Sequence, residues 1–155
     1  MGVPIHHHNQ WYLRDLACMY AKAFIGSKYE WGGENVWGFD CSGFISEVLS
    51  GVGIETPRDR TTSNEYSKRY PVFWEPSQER TVTAEKGCLV CYGRGKVSHI
   101  MLAISPNHVI GASGGGSQTD TIEEADAKNA FVKLRPIDYR SDALVVVDPF
   151  RITEE

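Results

Sequence analysis

Residues 37–44 read WGFDCSGF, which sets one cysteine, Cys41, between Asp40 and Ser42, with Gly38 and Gly43 close on either side. From Cys41 onward, Phe44, Ile45, Val48, Leu49 and Val52 follow the spacing of one face of an α-helix, and Gly53 marks its end. Asp40 stands just before that run as its N-cap. Cys41 therefore falls in the first helical turn, where unpaired N–H groups and the positive end of the helix dipole favour a thiolate. It is also the first member of the apolar stripe, so its sulfur points toward whatever the helix packs on. Spacing alone leaves nucleophile and core filler equally open. The surroundings favour the nucleophile, because a packed core has little use for Gly38, Asp40, Ser42 and Gly43 around one side chain.

On the N-terminal side, Leu13, Leu16, Ala17, Tyr20 and Phe24 predict an amphipathic helix over 10–25 that ends at Gly26. The glycine- and aromatic-rich stretch 26–38, GSKYEWGGENVWG, reads as a loop. Residues 54–80 are polar and interrupted by Pro57, Pro71 and Pro76, with Thr61 or Thr62 as the cap of a short helix running to Tyr70. Beyond them GCLVCYG, VSHIMLAIS, HVIGAS, FVKLRPI and ALVVVDPF are short strand-like runs bounded by glycine, proline and asparagine. Helices first and strands second predict an α+β fold, with N-terminal helices packed on one side of a mainly antiparallel sheet. There is no internal repeat or linker. One domain over 1–155 is expected, with residues 1–10 as a loose tail.

The 155 residues are 41% hydrophobic and 23% charged, which suits a packed core. Sixteen basic against twenty acidic side chains give a net charge of −4, so there is no basic field to hold a phosphate backbone, and nucleic acid is not expected as a partner. No stretch approaches the roughly 18 apolar residues of a membrane span, and the N-terminus lacks the charged-then-apolar pattern of a signal peptide. His6, His7 and His8 precede the first periodic element and read as part of the solvated tail. Cys88-Leu-Val-Cys91 has the spacing of a zinc or redox pair, but residues three apart on a strand face opposite sides. Buried structural thiols are the favoured reading there, with no metal or cofactor expected.

A cysteine nucleophile needs an imidazole to take its proton. Outside the tail the histidines are His99 and His108, and His99 lies inside VSHIMLAIS, on the sheet against which the cysteine helix must pack. Cys41 with His99 is thus the candidate pair, expected as a thiolate–imidazolium ion pair with the backbone N–H of Cys41 as an oxyanion donor. Tyr29, Trp31, Trp37 and Phe39 read either as an aromatic wall beside the cleft or as core.

The segments YEWGG at 29–33, GFDCSGF at 38–44 and GCLVCYGRGKVSHIMLAIS at 87–105 resemble the NlpC/P60 family of papain-like cysteine peptidases. The resemblance implies a papain-like fold and hydrolysis of peptidoglycan stem peptides at the γ-D-glutamyl to diamino-acid bond. It implies Cys41 as nucleophile, His99 as base and Tyr29 as an aid to the oxyanion site. Asp40 and Ser42, with Trp31 from the aromatic wall, would line the substrate subsite. Two departures stand out: the usual Gly-Asp-Leu is Gly87-Cys88-Leu89, and the third polar residue, often a histidine twelve positions after the base, is Gly111.

A hairpin centred on Ser105 is expected to put Gly111 opposite His99 and Ser113 diagonally across on the same face. Ser113, a backbone carbonyl or Asp120 would then orient the imidazole, and a histidine at 111 would be tolerated if the space is open. With no signal peptide, delivery to the wall is expected through phage lysis or tail machinery, or as a secretion-system effector. The alternative from another class is a catalytically silent wall-binding or tail-structural module.

Overall fold

A computed structural model describes residues 7–27, 34–35, 38–54, 61–78, 81–113 and 131–151, with the backbone alone at 7–9, 34–35 and 38–39. In chain order these form α1 (His7–Lys22), β1 (Glu34–Asn35), β2 (Gly38–Phe39), α2 (Cys41–Gly51), α3 (Ser63–Arg69), β3 (Val72–Trp74), a 3-10 turn (Pro76–Gln78), β4 (Leu89–Tyr92), β5 (His99–Ala103), β6 (His108–Ser113), β7 (Phe131–Pro136) and β8 (Ala143–Val147). β1 and β2 form a small antiparallel pair, and the other six strands form one antiparallel sheet in the order β3-β8-β4-β5-β6-β7.

Local chemistry sets the ends of α2 and α3. The Asp40 carboxylate accepts the Gly43 N–H at 2.6 Å, and beyond α2 the chain turns at Gly53 with φ +81°, a conformation that favours glycine. Thr62 and Glu65 form a reciprocal capping box at the start of α3. β4 is buried at every position, as a strand covered on both faces must be.

Those two faces are different. Cys91, Ile100, Leu102, Ile110 and Ala112 pack with Cys41, Phe44, Ile45 and Val48 on the helical face. Val90, Tyr92, Met101, Ala103 and Val109 form a second core on the reverse with Trp74, Ile137 and Tyr139. Cys88 belongs to the reverse core and Cys91 to the helical one, so their side chains leave on opposite sides.

The six residues 137–142 cross this reverse face from the end of β7 to the start of β8. One end of the link is tied by the Ile137 N–H to the Asn107 carbonyl at 2.8 Å, the other by the Gly93 N–H to the Asp142 carbonyl at 3.0 Å. Between them the buried Tyr92 hydroxyl donates to the Ile137 carbonyl at 2.7 Å. A link of six residues joins strands four places apart, at about 4.8 Å each, so it runs nearly extended across the face after its opening turn.

Three expectations need correcting. α1 begins at His7 rather than Gln10, so His7 and His8 belong to its first turn and not to a tail; it ends at Lys22, followed by a turn through Gly26. The stretch read as irregular contains β3 and the 3-10 turn. β3 is a three-residue edge strand with a register shift, too short to show a periodic signal. The β5–β6 hairpin also pairs two residues differently from expectation: Leu102 faces Ile110 and Ala103 faces Val109, a register that puts Met101 opposite Gly111 and Ser113 opposite His99.

α1 is fastened to the sheet through Arg14, which is 3% exposed and bonds the Asp148 carboxylate at 2.7 Å and the Lys86 carbonyl at 2.8 Å. Removing one partner of a buried pair strands the other charge. Arg14→Leu should therefore cost about 3 kcal/mol in urea denaturation, and adding Asp148→Asn should return part of that loss.

Candidate active site

Cys41 starts α2 and is 8% exposed. The backbone N–H groups of Ile100, Ser42 and Cys41 itself face its sulfur and favour the thiolate, as Arg140 does more weakly. Burial opposes them and is the largest effect, so the thiol pKa is raised overall. Cys88 and Cys91 are pushed up to about 12 by the same cause, which makes them inert packing groups.

His99, the first residue of β5, is half-buried, and its side chain leaves on the reverse face. Burial, reinforced by the Arg140 guanidinium, lowers its pKa to about 3. The ring sits in an aromatic cluster, 5.9 Å from the Tyr92 ring and 6.4 Å from the Tyr139 ring. Its Nε2 lies 2.7 Å from the Tyr139 hydroxyl. Among the described residues no hydrogen bond joins the ring to Cys41, and Nδ1 is the nitrogen that Tyr139 leaves free. Thiol and imidazole thus approach the end of β5 from its two faces, and both shifts favour the uncharged pair over the expected ion pair.

Ser113 does not reach the imidazole. Its hydroxyl, in a residue 4% exposed, donates to the Tyr139 oxygen at 3.4 Å, so Tyr139 stands between the serine and the histidine. Nor is the space at Gly111 open: a Cβ built there would lie 2.6 Å from the Met101 sulfur. A histidine at 111 must displace that side chain, so the open space on which its expected tolerance depended is not there. Asp40 and Ser42 are 1% and 4% exposed, and the Ser42 hydroxyl turns to the Asp40 carboxylate at 3.4 Å. Asp40 caps the helix, and neither side chain offers much surface to a substrate. Tyr29, Trp31, Trp37 and Asp120 lie outside the described residues, and the Phe39 side chain is likewise outside them.

Sequence reasoning missed Tyr139 and Arg140. Both sit in IDYRSD, between two strand runs, and only the crossing of the link over the sheet brings them to His99. Arg140 forks onto Asp142 at 2.8 and 2.6 Å and lies over the Tyr92 ring at 5.6 Å. A polar cleft of about 710 Å³ borders Ser98 and is lined by Asn64, Arg94, Lys96, Arg140 and Asp142. A cavity of about 740 Å³ on the reverse face, lined by Trp74, His108, Ile137 and Arg140, includes neither Cys41 nor His99.

The profile of the NlpC/P60 family matches residues 26–136, which include Cys41, His99 and Ser113 and end before Tyr139 and Arg140. The chain belongs to the NlpC/P60 family. It is 32% identical over 106 residues to the probable endopeptidase p60 of Listeria innocua, covering 68% of this chain and 21% of that protein. It is 31% identical over 93 residues to the gamma-D-glutamyl-L-lysine dipeptidyl-peptidase of Bacillus cereus, covering 57% of this chain and 25% of that protein. Its fold is that of the peptidoglycan hydrolase RipB of Mycobacterium tuberculosis, with a TM-score of 0.68 at 22% identity over 98% of this chain and 74% of that one. The chain spans about a fifth to a quarter of the length of the first two relatives. The NlpC/P60 match agrees with the resemblance carried by the YEWGG and DCSGF segments.

Two measurements test the electrostatics. Iodoacetamide at pH 6 should leave folded Cys41 unmodified, with alkylation rising only above the ordinary thiol pKa of about 8.5; alkylation at pH 6 faster than in the urea-unfolded chain contradicts this. His99 binds its proton near pH 3 when folded but near 6.5 when unfolded. Its contribution to stability is therefore whole above about pH 6.5 and is lost as the pH falls toward 3. Urea midpoints should drop between pH 7 and 5, and His99→Gln should flatten the drop.

Proposed function

We propose that this domain is a cysteine peptidase of peptidoglycan stem peptides, cutting the γ-D-glutamyl to diamino-acid bond with Cys41 as nucleophile and His99 as base. The observation that carries the reading is the thiol at the start of α2, under the N–H groups of Ile100 and Ser42, one residue along β5 from the imidazole. The naming of the Bacillus cereus relative as a gamma-D-glutamyl dipeptidyl-peptidase supports the choice of bond. The cleft beside Ser98, lined by Arg94 and Lys96, supports a substrate that carries carboxylates, as a stem peptide does; Arg140 in the same lining is paired with Asp142, and neither Cys41 nor His99 lines it.

In this reading, the sulfur attacks the scissile carbonyl as its proton passes to His99 Nδ1. The Cys41 N–H holds the oxyanion, at about 3 kcal/mol for such a donor. Tyr29, matched through YEWGG, would be a second donor, and Trp31 a wall of the subsite. The imidazolium then protonates the leaving amine, and water releases the acyl group.

The missing Cys41–His99 hydrogen bond favours a second reading, a silent wall-binding module. Mass spectrometry of muropeptides incubated with the protein separates the two. Wild type should release stem-peptide fragments, Cys41→Ala none, and His99→Ala at most a few per cent of the wild-type rate. Retained cleavage by Cys41→Ala removes the nucleophile assignment, and wall binding without cleavage by wild type selects the silent module.

A further inference from the structure

Position 111 carries no side chain, yet the His99 ring is held. Its Nε2 is 2.7 Å from the hydroxyl of Tyr139, a residue forty positions away in sequence. Tyr139 itself is over-determined. Its N–H bonds the Pro136 carbonyl at 3.0 Å, its ring meets the Tyr92 ring edge-on at 5.5 Å, and the Arg135 guanidinium lies 5.4 Å above its face. The Ser113 hydroxyl donates to the phenol oxygen at 3.4 Å. Burial raises the Tyr139 pKa, so the hydroxyl stays neutral and orients rather than shuttles charge.

We propose that Tyr139, braced by Ser113, is the positioning residue for His99, holding the ring with Nε2–H donated to the Tyr139 oxygen and Nδ1 left bare as the proton acceptor. A neutral imidazole carries one N–H, and which nitrogen keeps it is set by the hydrogen bonds the ring nitrogens make: one that faces an acceptor keeps the proton, and one that faces a donor is left bare. With the proton on Nε2, the Nδ1 lone pair takes the thiol proton as the sulfur–carbon bond forms and the carbonyl π pair moves to oxygen. Were the Tyr139 O–H to donate to Nε2 instead, the proton would sit on Nδ1 and no base would face the sulfur. The effect on turnover rests on the peptidase reading above; the tautomer does not.

The test uses the full chain with 15N-labelled histidine. In wild type near pH 7, the His99 Nε2 shift should be that of a protonated nitrogen and the Nδ1 shift that of a bare one. Tyr139→Phe keeps the ring and its packing and removes one oxygen; it should give a mixture of tautomers. On muropeptides it should lower kcat about ten- to a hundredfold with KM within about twofold, and Ser113→Ala should lower kcat by less. A wild-type ring protonated on Nδ1, or a Tyr139→Phe ring with the wild-type tautomer, overturns the assignment. Should wild type cleave no muropeptide, the peptidase reading falls, while a tautomer shift in Tyr139→Phe still supports Tyr139 as the residue that sets the ring.

Discussion

Side chains leave a strand alternately to its two faces, and at the start of β5 this separates His99 from Ile100. Ile100 goes down into the core beneath α2, while its N–H meets the Cys41 sulfur. His99 goes to the reverse, among Tyr92 and Tyr139. The candidate site is therefore assembled from two cores that otherwise have no reason to meet. They do so at one end of one strand, because the capped first turn of α2 stops there and because the link 137–142 must cross the reverse face to return the chain to β8. The Asp40 cap fixes the first of these positions, and the ties of the link to Asn107, Gly93 and Tyr92 fix the second.

The same geometry sets the protonation states. A helix start with three N–H groups aimed at sulfur is a thiolate site in water, but at 8% exposure desolvation outweighs them. The imidazole loses its charge for the same reason, with Arg140 adding to the loss. The resting pair is thus a neutral thiol and a neutral imidazole, and in the proposed peptidase reading charge separates only as attack proceeds. That arrangement protects a buried thiol from adventitious alkylation and oxidation, both of which need the thiolate. It also makes the orientation of the neutral ring matter more, since only the correct tautomer offers a lone pair to the sulfur.

Much of this was legible in the chain. The stripe from Cys41 to Val52, the Asp40 cap and all five strands after residue 87 carry strong local signals, and the structure holds each of them; of the two threonines offered as the next cap, Thr61 and Thr62, it is Thr62 that takes the role. What escaped is non-local or short. β3 has three residues and depends on β8 to exist as a strand. The hairpin register turned on whether Ser105 or Pro106 is the centre, and a shift of one residue at the turn moves every pairing by two. Tyr139 could not be placed from its neighbours, because what brings it to His99 is the strand order β8-β4-β5-β6-β7 rather than any spacing.

Gly111, Met101 and Tyr139 are best understood together. In the observed register Met101 faces position 111, and its sulfur occupies the volume a side chain there would need. The flexible thioether fills the gap that the glycine leaves, as methionine does in irregular cores. Filling it closes the route by which a residue at 111 could reach the ring. The Tyr139 hydroxyl enters instead at the His99 end, past the Leu102–Ile110 and Ala103–Val109 pairs, between the ring and Ser113. A histidine at 111 and a tyrosine at 139 are therefore competing solutions to one problem, not additive ones. Exchanging the second for the first requires the Met101 side chain to move and the phenol to go, so the two arrangements are separated by linked changes at three positions rather than by one.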